Sequence, residues 1–394
     1  VILTPFVGWE AGALFQTLID YWVETGDDTY NAVTTQGLLH QVGTSNDFLP
    51  ANQSLSEGND DQGVWALAAI AAAENALPGG QPQWLDLAKN VFTEFVSRWD
   101  TKNCGGGLRW QIAAFNNGYD YKNSVSNAVF FDLSARLFRQ TNNETYSQWA
   151  SKVFEWEQTA GFISDSYQVF QGAQVEACSD INKAQSSMDA GIFLHGSAVM
   201  YNTTTSSDWK TRVDGLLKNV QATFVKDGVL YESMCEGQKT CTTDMQSYKS
   251  FLIRSLKATT QVAPYTDATI QPLLQTTAKV AAKACTGSPS SGFSGQSGTA
   301  CGFTWVGGSG FDGLTGIGEQ LNALSAVMST LSYSKSQSAP SPGSNTTSSS
   351  GSGQPSGTSG TSKPSTTPKS SGNIIAVNAA MALVVMGSVV YGLC

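Results

Sequence analysis

The chain has 394 residues, 22 Lys or Arg against 31 Asp or Glu, and a formal net charge of −9, with only 13% of its residues charged. Lys335, Lys363 and Lys369 are the only charges after residue 333, so the first 333 residues carry 19 basic and 31 acidic side chains, a net −12. That excludes a basic nucleic-acid footprint and a surface steered toward anionic lipids. Few charges with 10 Trp, 12 Tyr and 18 Phe suit a large globular core and a neutral, ring-shaped ligand. Length alone suggests two or three domains.

In chain order, apolar residues spaced three and four apart predict helices over about 9–25, 30–41, 61–76, 83–99, 120–140 and 144–160. Further helices are expected over 187–202, 208–224, 243–262, 267–284 and 313–332. Asp61, Asn143 and Thr243 read as caps, and Gly26, Gly43 and Gly161 as stops. Eleven helices without a convincing run of alternating strands make this an all-α chain. Their spacing predicts repeated helical hairpins closing into a toroid. A closed toroid of hairpins needs an even number, so one helix is expected to be lost from the N-terminus. A secretory leader is likewise expected ahead of Val1.

The end of the chain changes character. Residues 334–372 hold 32 Ser, Thr, Gly or Pro out of 39 and read as a flexible, O-glycosylated stalk. Small residues Ser370, Ser371 and Gly372 then precede an uncharged tail, 373–394, which is expected to be a glycosylphosphatidylinositol (GPI) attachment signal removed on maturation. The competing reading is a C-terminal transmembrane helix, disfavoured because no charge follows the tail to hold it. Removing the tail discards Cys394 and leaves six cysteines, Cys104, Cys178, Cys235, Cys241, Cys285 and Cys301. Fifteen pairings are possible in principle. Cys235–Cys241 and Cys285–Cys301 close short loops and are preferred, leaving Cys104–Cys178. No pair has zinc-knuckle spacing, so neither metal nor cofactor is expected. Sequons at Asn52, Asn143, Asn202 and Asn345 agree with a secreted protein.

The loops before alternate helices hold the candidate chemistry. Ser56-Glu-Gly-Asn-Asp-Asp-Gln-Gly-Val-Trp65 sets Asp60 and Asp61 at the mouth of a helix, followed by Gln62 and Trp65. Neighbouring like charges raise one another's pKa, whereas a helix N-terminus favours the ionised form. The combination can hold one acid protonated and the other ionised, as glycosidic cleavage requires. The plainer reading is a capped helix with an acidic first turn. Cys104-Gly-Gly-Gly-Leu-Arg-Trp110 adds Arg109 and an aromatic, and Asn116-Asn-Gly-Tyr-Asp-Tyr-Lys-Asn123 leads to Asn127. Trp9-Glu10 opens the first helix. Aromatic faces stack on pyranose C–H surfaces while amides and carboxylates bond hydroxyls. His40 and His195 read as satisfied core histidines, Lys122 as a solvated or paired surface lysine, and Arg109 as a neutraliser of part of an acidic cleft.

These motifs carry a resemblance. Trp9-Glu-Ala-Gly-Ala, Thr25-Gly-Asp-Asp-Thr-Tyr-Asn31, Glu57-Gly-Asn-Asp-Asp-Gln62, Arg98-Trp-Asp100, Cys104-Gly-Gly-Gly-Leu-Arg-Trp-Gln111 and Gly191-Ile-Phe-Leu-His-Gly196 are similar to glycoside hydrolase family 76 over roughly residues 8–330, and most of all to its fungal GPI-anchored branch. The bacterial members hydrolyse α-1,6-mannan. The fungal ones are described as mannan endo-1,6-α-mannosidases and are linked to transfer of GPI-anchored mannoproteins onto wall glucan. The resemblance implies an (α/α)6 barrel in 1–333, of which this chain would hold eleven of twelve helices. By position in the motif, Asp60 would be the nucleophile and Asp61 the acid/base of a retaining double displacement. Trp9, Glu10, Gln62, Trp65, Arg109, Trp110, Asn123 and Asn127 fall where the family lines its cleft. Met188-Asp189-Ala190-Gly191 departs from the family, which has an aromatic and an Asn before Ala-Gly. The implied partners are an α-1,6-mannan or GPI-core glycan donor and a β-glucan acceptor, with the membrane reached through a GPI lipid only. The implied location is the outer face of the plasma membrane and the wall. A non-catalytic mannan-binding or structural wall protein is the alternative.

Overall fold

The computed structural model describes residues 8–308 and 310–331. Eleven α-helices are found among them: α1 (Gly8–Thr25), α2 (Asn31–His40), α3 (Asn59–Glu74), α4 (Trp84–Arg98), α5 (Ser124–Thr141), α6 (Glu144–Thr159), α7 (Ser187–Thr204), α8 (Ser207–Thr223), α9 (Tyr248–Val262), α10 (Asp267–Lys283) and α11 (Ile317–Met328). The odd-numbered helices pack on one another in sequence, and α11 returns to α1, closing an inner ring of six. Helices α2, α4, α6, α8 and α10 lie outside: α2, α4 and α10 each pack on both inner helices that flank them, α6 chiefly on α5 and α8 chiefly on α7. The expected toroid is what forms, as one body where length alone suggested two or three. Among the described residues the outer position between α11 and α1 holds no helix.

Composition explains the two layers. Inner helices are buried nearly all round: α3 buries Val64 through Ala72 without a break, and α7 buries Ser187 through Leu194. Outer helices bury one stripe, as in α4, where Leu87, Ala88, Val91, Phe92 and Phe95 face inward at helical spacing. Small residues let the inner helices approach closely. On α7, Gly196 faces the ring of Phe131 on α5, where a methyl would have to displace it.

Three helix starts differ from expectation. Asn143 does cap α6, its side chain accepting from Thr145 N. Asp61, however, lies three residues inside α3, whose cap position is Gly58. Thr243 opens a 3-10 turn over Asp244–Ser247, and α9 proper begins at Tyr248. The expected helix over 120–140 begins instead at Ser124, because Tyr121–Asn123 (β1) pairs antiparallel with Gly172–Gln174 (β2). Two more two-stranded pairs occur, Val225–Lys226 with Val229–Leu230 and Cys285–Gly287 with Ala300–Cys301. Gly172 is required where it stands: its φ is +135° and a Cβ would strike the carbonyl of Lys122.

All three expected disulfides form: Cys104–Cys178, Cys235–Cys241 and Cys285–Cys301. Asn52, Asn143 and Asn202 are exposed, while Asn345 lies outside the described residues. So do Ser370, Ser371, Gly372 and the tail. No helix among the described residues is long and apolar enough to cross a membrane.

At the C-terminal ends of the inner helices lies a buried ionic network. Arg136 of α5 bonds Glu74 of α3 at 2.6 Å, Arg139 bonds the same carboxylate at 2.7 Å, and Asp132 bonds His195 of α7 at 2.8 Å. Thus His195 is a satisfied, half-buried histidine, as expected. His40, expected in the core, is exposed at the end of α2. Burial alone would raise the Glu74 pKa, but Arg136 and Arg139 hold it at about 2.

Candidate active site

The inner helices run parallel, so their first turns gather at the opposite rim, and acidic residues occupy them. Glu10 opens α1, Asp60 and Asp61 open α3, Asp189 opens α7 and Glu319 opens α11. Asp244 precedes α9, and Glu57 and Glu232 arrive from loops. Converging N-termini offer partial positive charge to this cluster, yet burial and mutual repulsion dominate. Burial, then Asp244 and Glu319, push Glu10 up to about 8. Burial, then Asp61 and Asp47, push Glu57 to about 8. Burial lifts Asp189 to about 7 and Glu232 to about 8. Glu319 rises to about 7, again chiefly through burial.

Asp60 and Asp61 are both half-buried in the first turn of α3. Burial, then repulsion from Asp61, raises Asp60 well above the ordinary carboxylate range. Asp61 is pushed up to about 6, by burial first and by Asp244 after the opposing pull of Gly58 N–H. Asp61 Oδ2 accepts Gly58 N–H at 2.7 Å, the returning half of a capping box. Asp60 Oδ1 accepts the N–H of Asp61 at 3.1 Å, and the Trp110 indole also donates to Asp60. Gly58 has to be glycine for this arrangement, because a methyl there would press on Asp60 Oδ1 and on the Trp110 carbonyl.

Trp110 is brought across α3 by a short antiparallel crossing. Asn59 N donates to Trp110 O at 2.8 Å, Asn59 Nδ2 donates to Arg109 O at 2.9 Å, and Gly58 bridges Gln111. The strand is held from behind by Lys122. Expected at the surface, Lys122 is instead fully buried. Its ammonium donates to the carbonyls of Asp100 (2.8 Å), Asn103 (2.7 Å) and Gly106, and lies 3.4 Å from the Asp100 carboxylate. Three convergent carbonyls match the three donors of an ammonium, which is why the charge is tolerated inside. Burial brings its pKa down to about 8. Arg109 joins the same node rather than neutralising the cleft: it bonds Asp100 at 2.9 Å, Asn103 Oδ1 at 2.9 Å and Tyr119 O at 2.9 Å.

Other sequence-expected site residues divide in two. Trp9 and Glu10 belong to the acidic floor: the Trp9 indole donates to Asp244, and both Glu10 carboxyl oxygens are buried without a hydrogen-bond partner. Gln62, Trp65, Asn123 and Asn127 are spent on structure. Gln62 is enclosed by Asp47 O (2.7 Å), Glu94 (2.6 Å) and Arg98. Trp65 stacks on Phe48 in the core at 6.1 Å. Asn123 caps α5. Asn127 accepts from Leu108 N and donates to the carbonyls of Leu108 and Asn123, fully buried. These four therefore shape the loops that carry the cleft and leave its lining to others.

Sequence reasoning passed over Glu57, Glu232, Asp244, Glu319 and Tyr248, and read Asp189 only as a departure. Burial and four surrounding carboxyls, Asp189, Asp244, Asp60 and Glu232, raise the Tyr248 phenol far above its usual range, which places it among the cleft acids. No local signal separated them: an acid lies in or just before the first turn of every inner helix but α5, and in the first turns of the outer helices α4, α6, α8 and α10 as well. No group of His, Cys, Asp or Glu among the described residues could hold a metal ion.

The acids set a stability prediction. A carboxyl with a raised folded pKa binds its proton more tightly in the fold, so stability is full below the unfolded value and falls as pH rises through about 6 to 8. Glu74 works in reverse, contributing above its unfolded value of 4.5 and losing that contribution as pH falls toward about 2. Thermal melts across a pH series are expected to peak near about pH 5 and decline on both sides. A melting temperature that rises from about pH 5 to about pH 8 would contradict the burial assigned to these acids.

Comparison with known proteins agrees with this geometry. The family model described as Glycosyl hydrolase family 76 matches residues 1–341. The chain is 42% identical over 337 residues to the mannan endo-1,6-alpha-mannosidase DCW1 of Saccharomyces cerevisiae, covering 84% of this chain and 73% of that one. It is 40% identical over 339 residues to DFG5 of the same yeast, covering 84% and 72%. The crystal structure of Dfg5 from Chaetomium thermophilum in complex with glucosamine superposes with a TM-score of 0.78 at 45% identity, covering 83% of this chain and 80% of that one. The GH76A alpha-1,6-mannanase of a Salegentibacter species shares the fold, with a TM-score of 0.66 at 18% identity over 82% of this chain and 89% of that one. A ring of six inner helices with paired aspartates at the mouth of α3, matched over nearly its whole length by one family model and by close fungal relatives, makes this chain a member of glycosyl hydrolase family 76.

Proposed function

We propose that this protein cleaves α-1,6-linked mannose in a mannan or GPI-core glycan by a retaining double displacement and passes the glycosyl group to water or to a β-glucan hydroxyl. The observation that carries the reading is the adjacent pair Asp60 and Asp61 in the first turn of α3, both raised above the ordinary carboxylate range among a cluster of acids. Asp60 attacks the anomeric carbon as the glycosidic C–O bond breaks, and Asp61 delivers its proton to the departing oxygen. In the second half Asp61 takes a proton from the incoming hydroxyl, whose oxygen displaces Asp60. The N–H groups and indole aimed at Asp60 favour its ionised form and support it as nucleophile. An acidic floor also suits the ammonium of an amino sugar in a GPI-core glycan. Secretion, GPI anchorage through 370–372 and action at the cell wall complete the proposal.

The test is incubation of the purified ectodomain with α-1,6-mannan or a GPI-glycan donor, with and without a β-glucan acceptor, read by mass spectrometry. Shortened mannan alone identifies hydrolysis, and a donor–acceptor conjugate identifies transfer. Unchanged donor in every arm overturns the reading.

A further inference from the structure

Three of the six large apolar side chains exposed among the described residues, Leu55, Trp110 and Phe115, sit on the two segments that meet at the mouth of α3. Phe115 is 73% exposed and Leu55 65%. Neither hangs on a loose tip. Asn116 Nδ2 donates to Leu55 O at 2.9 Å and to Gln111 Oε1 at 3.1 Å, and Gln111 in turn bridges Gly58. Leaving a phenylalanine in water forfeits the gain of burying it, and nothing among the described residues covers this one.

Beside Phe115 lies an open cavity of about 310 Å³ lined by Ala114, Asn116, Asn117, Gly118, Tyr119 and Asp120. That volume is at the lower end of small-molecule sites. Gly118 fits against the Trp110 ring, with φ +95° and no room for a methyl, so the cavity wall and the indole that reaches Asp60 are in direct contact. The lining supplies amides and a carboxylate for hydroxyls, and Phe115, between lining residues Ala114 and Asn116 in the chain, supplies an exposed ring for a C–H face. Arg109, the nearby cation, is engaged by Asp100, Asn103 and Tyr119. The cavity therefore offers no unpaired arginine to an anionic ligand.

We propose that this rim is a second glycan-binding site, continuous with the cleft, in which Phe115 stacks on one sugar of an uncharged hexose chain while Asn117 and Asp120 bond its hydroxyls. It deepens the function proposed above and rests on it for what reacts, but binding at the rim is measurable without turnover. The chain is either the mannan running out of the cleft or the glucan coming in.

Calorimetric titration of the full chain carrying Asp60→Asn with α-1,6-mannohexaose and, separately, β-1,3-glucohexaose separates the two. Adding Phe115→Ala is expected to weaken one of these ligands about ten-fold, and adding Asn117→Ala to weaken the same ligand several-fold, with mannobiose binding unaltered. Loss confined to mannohexaose makes the rim a donor subsite, and loss confined to glucohexaose makes it the acceptor site. Affinities unchanged by Phe115→Ala for both, or lowered equally for mannobiose, overturn the proposal. Phe115-dependent binding by a protein that leaves mannan and GPI-glycan intact would sink the catalytic reading alone.

Discussion

Asp60→Asn or Asp61→Asn should lower the release of reducing ends from α-1,6-mannan by about 10³- to 10⁴-fold while leaving the melting temperature equal or higher. The two effects have one cause. Burial and repulsion from Asp61 raise Asp60, and burial and repulsion from Asp244 raise Asp61. Asparagine keeps the shape but removes the ionisable proton and the repulsion together. Side-by-side activity assays and thermal melts decide it. An Asp60→Asn or Asp61→Asn protein that retains a tenth of wild-type turnover would remove that residue from the chemistry. A large drop in melting temperature would instead show that the carboxylates stabilise the loop rather than strain it.

Removing Lys122 should act on the fold first. Lys122→Met leaves the carbonyls of Asp100, Asn103 and Gly106 and the Asp100 carboxylate turned toward an apolar side chain. Breaking a buried ion pair costs about 3–5 kcal/mol, a fall of roughly 4–7 °C in melting temperature for a domain of this size. Arginine is not expected to rescue it, because a planar guanidinium cannot meet three carbonyls converging on a single point. Activity should fall with the same variant, since the loop Lys122 anchors carries Arg109 and Trp110. Thermal melts of Lys122→Met and Lys122→Arg, with assays well below the transition, test both halves. A Lys122→Met protein of unchanged stability would contradict the buried cage.

Lys122 also shows where sequence reasoning stops. Between Tyr121 and Asn123, in a segment full of polar residues, nothing local separates a buried ammonium from a solvated one. Its environment is built by carbonyls 16 to 22 residues upstream, by Trp156 of α6 and by the Cys104–Cys178 bridge. Gln62 and Trp65 teach the same lesson from the other side. They follow the aspartates in the motif, but helical rotation turns Gln62 to Arg98, and Trp65, one turn further along the helix than Asp61, is buried against Phe48. Adjacency along a helix does not place side chains on one face.

Helix positions, the hairpin toroid, the three cysteine pairs and the Asp60–Asp61 motif were legible because each rests on local information. Apolar spacing of three and four marks a helix wherever it packs, short loops favour their own cysteine pairs, and two carboxyls next to one another repel in any setting. The membership of the cleft was not local. Glu10, Glu57, Asp189, Glu232, Asp244 and Glu319 span most of the chain and meet only because six inner helices run parallel and bring their first turns to one rim. The net −12 of the first 333 residues announced an acidic protein. Ring closure decided that part of that charge would be concentrated, buried and kept partly protonated around one pair of aspartates, because desolvation and repulsion depend on distances that only the assembled toroid sets.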